Sequence, residues 1–121
     1  MRARAGAGSP VTSARLDRTL AALADPHRRG VVDVLGRGPQ SAGDLARKLG
    51  LTAPAMSRHL RVLREGGLVQ DSHPHFDARV RVYSLRSEPM VELRQWLAKT
   101  EQLWADQLLA FKAHIEKDLG K

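Results

Sequence analysis

The chain has 121 residues, the length of one domain with a single modest core, and it carries a net charge of +7. It contains no cysteine, which excludes disulfides and thiolate metal sites. The first fifteen residues contain no apolar signal-peptide core, and no segment approaches the roughly 18 consecutive apolar residues of a membrane span, so we expect a soluble, cytoplasmic protein without membrane contact.

The positive charge is concentrated in the first two-thirds of the chain. Residues 1–15, 16–51 and 52–86 carry net charges of +3, +2 and +3, whereas residues 87–121 carry −1. Such asymmetry is typical of proteins that bind a polyanion, either nucleic acid or, less often, an anionic membrane surface.

The first helices are predicted from apolar spacing and from their start signals. Residues 1–11 lack periodicity and predict a disordered basic tail, so the folded domain is expected over residues 12–118. Leucines recur at helical spacing from residue 16 to residue 23. Asp25 followed by Pro26 then predicts an N-cap and the first residue of a second helix, which ends at the Gly-Arg-Gly-Pro break over residues 36–39.

The remaining elements follow in the same way. Ser41, with Asp44 three residues on, predicts the start of a short third helix that ends at Gly50. Thr52 predicts the cap of a fourth helix, which ends at a Gly-Gly pair. Residues 68–73 and 80–85 predict a β-hairpin, and a last helix runs from Ser87 to about residue 117. The predicted fold class is mainly α with a small β-hairpin.

The fourth helix has two different faces. Met56, Leu60 and Leu63 recur at spacings of four and three and predict a core-facing side. The opposite face carries small, hydroxyl and basic residues, namely Ala53, Pro54, Ser57, Arg58, Arg61 and Arg64. Such a face suits the major groove of DNA, because small side chains permit close approach and arginine binds guanine or phosphate. The alternative is an ordinary solvated arginine face.

A family resemblance adds to this interpretation. The run SAGDLARKLGLTAPAMSRHLRVLREGGLV resembles the helix-turn-helix of ArsR/SmtB-type winged-helix repressors. The upstream LADPHRRGVVDVL and the later VRVYSL resemble that family's second helix and second wing strand, so the likeness covers about residues 16–115. It implies a winged helix-turn-helix fold with a long C-terminal dimerisation helix. It also implies a homodimeric repressor that binds an imperfect palindromic operator in double-stranded DNA and is released by an effector.

The resemblance also implies site residues. The groove-facing start of the fourth helix would comprise Thr52, Ala53, Pro54, Ser57 and Arg58, whereas Arg61 and Arg64 lie further along and are expected to meet phosphates. Ser41 would contact phosphate at a helix N-terminus, and Arg79 and Arg81 would lie on the wing. His59 is predicted to pack within the protein rather than to bind bases.

The metal ligands of the family's sensors are missing from this sequence. The stretch PQSAGDLA replaces their cysteine-containing motif, and Asp106 and His114 lack the expected partners in the last helix. We therefore expect no metal and no cofactor, with a possible small-molecule effector instead. Four potential ligands over residues 71–77, including His73 and His75, leave a metal-binding wing as the alternative to a plain polar wing.

The last helix carries more apolar surface than one small domain needs. A stripe recurs along it at spacings of three, four and seven, with an adjacent row beside it. We expect this surface, with the leucines of the first helix, to form a homodimer interface through Leu16, Leu20, Leu23, Trp96, Leu103, Trp104, Leu108, Phe111 and Ile115. The alternative is ordinary intradomain packing.

Other function classes receive less support. A basic RNA-binding module would be expected to expose more aromatic residues than this chain contains. A winged-helix interaction adaptor without DNA binding is disfavoured by the intact arginine face. No phosphate-binding loop or nucleophile motif is present, so the sequence does not predict an enzyme.

Overall fold

The computed structural model describes residues 13–73 and 80–120. These residues form five helices and a three-stranded antiparallel sheet: α1 (Ala14–Ala22), α2 (Pro26–Leu35), β1 (Gln40–Ser41), α3 (Ala42–Leu49), α4 (Ala53–Glu65), β2 (Val69–Ser72), β3 (Val82–Leu85) and α5 (Ser87–Leu119). The predicted fold class, mainly helical with a small hairpin and a long C-terminal helix, is confirmed. The predicted tail, residues 1–11, lies outside the described residues.

Polar side chains at the N-caps explain where the first four helices begin. Each side chain accepts a hydrogen bond from a backbone N–H of the first turn, and the four caps are Ser13, Asp25, Ser41 and Thr52. Pro26 occupies the first position of α2, as predicted. Gly50 ends α3 with a φ of 66°, a left-handed conformation that glycine adopts without steric cost.

The small sheet has the strand order β1-β3-β2. β2 pairs antiparallel with β3 from Val69↔Leu85 to Ser72↔Val82, which confirms the predicted hairpin with slightly shorter strands. β1 pairs with the other edge of β3 through Gln40↔Tyr83. This two-residue strand was not predicted, because it is too short to show an alternating pattern.

The core lies between the helices and one face of the sheet. Its buried members include Val31, Leu45, Met56, Leu63 and Leu68, each at most 1% exposed. The predicted core side of α4 is therefore confirmed, and the packing of that side turns the opposite face of α4 toward solvent.

The long helix α5 has two different halves. Its first half packs against α1, where the Ser13 hydroxyl donates a 2.8 Å hydrogen bond to Glu92. Every residue from 101 to 120 is exposed, so the second half extends away from the body. Nineteen helical residues at 1.5 Å each give this extension a length of about 28 Å. No described helix combines the length and apolar character needed to cross a membrane.

Candidate nucleic-acid interface

The α3–turn–α4 segment is held rigidly at its turn. The Leu51 N–H donates to the Ala46 carbonyl over 2.9 Å, and Thr52 then caps α4 by accepting from the Ala55 N–H over 3.2 Å. Met56, the first core residue of α4, is 1% exposed. The N-terminal end of α4 is consequently fixed in direction, with its first turn facing solvent.

The exposed face of α4 contains the residues that the sequence singled out. Thr52, Ala53, Pro54, Ser57 and Arg58 are all exposed, as are Arg61 and Arg64 further along the helix. Small side chains occupy the first turn, and the first arginine follows one turn later. Such a surface permits a close approach of the helix backbone to a groove and offers hydroxyl and guanidinium donors to base edges. We refer to α4 below as the recognition helix.

A charged cluster joins the recognition helix to the wing, the hairpin formed by β2 and β3. Asp71 on β2 accepts a hydrogen bond from Arg64 Nη1 at Oδ1 over 3.2 Å, and its Oδ2 forms an ion pair with Arg81 Nε, also at 3.2 Å. The Asp71 side chain is 16% exposed, whereas those of the two arginines are about half exposed. A hydrogen bond with the Tyr83 side chain, together with the charges of Tyr83 and Asp71, raises the pKa of Arg81 above its usual range.

This cluster borders a polar groove between helix and wing. The groove has a volume of about 240 Å³ and is lined by Ser57, Leu60, Arg61, Arg64, Arg81 and Tyr83. Three guanidinium groups around one cleft form a suitable surface for an anionic oxygen of a phosphate. The sequence indicated Asp71 only as a potential metal ligand and did not indicate Tyr83, because the pairing of β2 with β3 brings the two residues opposite each other.

Two further predicted contact residues, Ser41 and Arg79, do not lie on the exposed face of α4. Ser41 is half-buried, and its hydroxyl accepts a 3.1 Å bond from the Asp44 N–H, so it contributes first to the cap of α3. Arg79 lies outside the described residues.

His59 lies on the side of the recognition helix that faces α2. Its ring centroid is 5.6 Å from that of His27, with the two planes tilted by 44°. This contact agrees with the predicted packing role of His59. Near this pair, burial raises the pKa of Asp25, but the N–H groups of Arg28 and His27 and the charge of His59 outweigh it and lower the pKa below 3.8.

Comparison with known proteins identifies the family. A family model described as a helix-turn-helix domain matches residues 23–70. The HTH-type transcriptional regulator Rv2034 of Mycobacterium tuberculosis is 36% identical over 102 residues, which cover 84% of this chain and 90% of that protein. The structure of the ArsR family transcriptional regulator RHA00566 matches with a TM-score of 0.65 and 33% identity, covering 75% of this chain and 91% of that one. The chain belongs to the ArsR family.

Its membership of the ArsR family defines the general activity of this protein. It is a DNA-binding transcriptional regulator of the winged helix-turn-helix type, and proteins of this class are not enzymes. A further relative, the transcriptional repressor SdpR of Bacillus subtilis, is 28% identical over 82 residues, or 68% of this chain and 88% of that protein.

The described part of this ArsR-family chain contains no group of three or more side chains arranged to hold a metal ion. His114 lies 3.4 Å from the Asp118 carboxylate one helical turn later, and both side chains are exposed. Of the wing histidines, His73 is exposed and His75 lies outside the described residues.

The residues expected at a dimer interface differ in how much of their surface is exposed. Leu16 is only 2% exposed, so α1 already buries it within the protomer and leaves little of its surface for a partner. Leu23 packs against that core and Trp96 is half-buried, whereas Leu20 remains 38% exposed. The residues further along α5 keep most of their surface: Leu103, Trp104, Leu108 and Phe111 are 60–66% exposed, and Ile115 is 39% exposed.

Proposed function

We propose that this chain is a homodimeric repressor that binds an imperfect palindromic operator in double-stranded DNA and is released by a non-metal effector or signal. The observation that carries the proposal is the exposed N-terminal face of the recognition helix, above a fully buried core side. A helix presented in this way inserts its first turns into the major groove.

The proposed contacts follow from position along the recognition helix. Thr52, Ala53 and Pro54 allow close approach of the backbone, whereas Ser57 and Arg58 reach base edges. Arg61 borders the polar groove beside the wing and meets a phosphate there. These roles assign sequence discrimination to the first two turns and orientation to the later one.

The wing and the start of α3 complete the proposed surface. Arg81 contacts the DNA backbone beside the recognition helix, and the sequence places Arg79 near it. Ser41 begins α3 and contributes a phosphate contact through the helix N-terminus and, in part, its hydroxyl.

The α5 extension is proposed to form the dimer. Trp104, Leu108, Phe111 and Ile115 lie on one side of a helix whose residues 101–120 are all exposed. Large apolar side chains that stay exposed in a row mark an interaction surface. A palindromic site requires a two-fold axis, and a symmetric pairing of α5 would supply it.

Selection from a randomised pool of DNA duplexes tests the proposal. We expect the protein to enrich a sequence with two-fold symmetry and to bind it as a dimer. Binding should be much tighter than to an RNA duplex of equal length. Enrichment of no DNA sequence, or equal binding of RNA, would contradict the proposal.

A further inference from the structure

Asp71 stands out because it is an acidic residue on a surface proposed to face DNA. Its carboxylate contacts Arg64 of the recognition helix and Arg81 of the wing, each over 3.2 Å. These contacts connect two elements that approach DNA separately. One anion between two cations leaves the cluster with a net charge of +1, so part of the positive charge is already neutralised within the protein.

We infer that Asp71 is a positioning residue that fixes the wing relative to the recognition helix and so raises the discrimination between operator and unrelated DNA. The inference rests on the proposed function, since it requires both elements to meet DNA. A carboxylate near phosphates weakens binding to every sequence alike. Its benefit must then lie in geometry rather than in affinity.

The geometry around Arg81 supports this role. Asp71 lies directly opposite Tyr83 in the register of β2 and β3, and Tyr83 is 8% exposed. Arg81 is therefore held by the Asp71 carboxylate, beside the Tyr83 side chain that lines the same polar groove. Tyr83 also pairs with Gln40 of β1, which connects the wing to the start of α3. A guanidinium held by a carboxylate has fewer conformations with which to follow the phosphates of an arbitrary duplex.

The Asp71 carboxylate restrains Arg64 as it restrains Arg81. The sequence predicted a phosphate contact for it, but its Nη1 is bound to Asp71. While this pair is intact, Arg64 acts mainly as the support that joins the end of the recognition helix to β2. Without Asp71, both arginines become available to phosphates of any sequence.

The test compares Asp71→Asn with Asp33→Asn, which makes the same charge change at an exposed position on α2. Dissociation constants are measured at several salt concentrations on two duplexes of equal length, one selected by the wild-type protein and one unrelated. For Asp71→Asn we expect tighter binding of the unrelated duplex. The log–log salt slope should become steeper by up to about 0.9 for each arginine that gains a phosphate.

The ratio of the two affinities should fall by about two- to tenfold, the lower part of the range for couplings within one charged network, because both arginines are about half exposed. Asp33→Asn should leave both the slope and the ratio near wild type. Asp71→Glu should return the salt slope to the wild-type value because the charge is retained. Circular dichroism verifies that each variant is folded, and Asp71→Ser replaces the asparagine variant if that protein does not fold.

Two results would overturn the inference. One is an Asp71→Asn protein whose slope and affinity ratio match those of Asp33→Asn. The other is an equal loss of affinity on both duplexes with an unchanged slope, which would indicate a purely structural role. Failure of the wild-type protein to select any duplex would instead refute the proposed function, so the two failures are distinguishable.

Discussion

The proposed dimer can be tested with two neighbouring leucines on the α5 extension. Leu108 and Leu109 are 60% and 66% exposed, but they point about 100° apart around the helix. Leu108 lies on the same side as Trp104, Phe111 and Ile115, whereas Leu109 lies outside that stripe. Leu108→Arg should therefore dissociate the dimer, and Leu109→Arg should not.

The magnitude follows from the exposed area. Complete burial of a leucine side chain contributes about 1.5–3 kcal/mol, so covering the 60% of Leu108 that is exposed contributes roughly 1–2 kcal/mol per protomer. Two-fold symmetry doubles this to roughly 2–4 kcal/mol. The loss raises the dimer dissociation constant by roughly 30- to 900-fold, since about 1.4 kcal/mol corresponds to a factor of ten. Desolvation of an unpaired arginine in the interface adds to this effect.

Sedimentation velocity over a range of protein concentrations measures the dimer dissociation constant of the two variants and the wild type. Far-ultraviolet circular dichroism should show that the Leu108→Arg monomer keeps its helical fold, because the extension does not contribute to the core. Affinity for a palindromic duplex should fall together with dimerisation. Two results would refute the assignment of this stripe as the interface. One is a Leu108→Arg protein that is still a dimer at the concentrations at which the wild-type protein is a dimer. The other is equal dissociation of both variants.

Four further predictions follow from the site and the caps. Arg58→Ala should weaken binding to the selected duplex by about 1–3 kcal/mol and binding to unrelated DNA much less, measured by fluorescence anisotropy at one salt concentration. Arg18→Ala is its control, since Arg18 borders α4 at the opposite end, beside Gly66. One equivalent of zinc should leave DNA binding unchanged because the chain has no cysteine, and tight zinc binding with release of DNA would contradict this. Ser13→Ala should reduce the free energy of unfolding by about 1–2 kcal/mol in urea titrations, since it removes the α1 cap and the bond to α5; an unchanged midpoint would argue against both contacts. The lowered pKa of Asp25 means that its ionised form stabilises the folded state above pH 3.8, and this stability is lost as the pH falls through the folded pKa. The melting temperature should accordingly fall less for Asp25→Asn than for wild type on acidification below pH 3.8, and parallel curves would contradict the cap.

Much of the fold could be predicted from local patterns, because helices and hairpins are specified by neighbouring residues. The caps at Asp25, Ser41 and Thr52 are single side chains that bond the backbone two or three positions away. The two faces of the recognition helix follow from a period of 3.6 residues. Residue spacing was therefore sufficient to separate the core side of α4 from its exposed side.

Other features depended on the tertiary structure. Strand β1 exists only because β3 provides a partner for its two residues, and no pattern in two residues could predict it. Leu16 and Leu20 fit the same helical stripe, yet the packing of α1 buries the first and leaves the second 38% exposed. Amphipathic spacing identifies an apolar side, but it does not say which neighbour covers that side.

The sequence by itself determined the order of the five helices and the hairpin, the residues of the exposed face of α4 and the family. Only the tertiary structure decided how those residues are paired. Arg64, Asp71 and Arg81 are separated by seven and ten positions in the chain. The hairpin register brings Arg81 to the Asp71 carboxylate, and the packing of α4 against β2 brings Arg64 there. The physical reason is that local propensity and capping act within a few residues, whereas ion pairs and burial form between segments that meet only when the chain is folded.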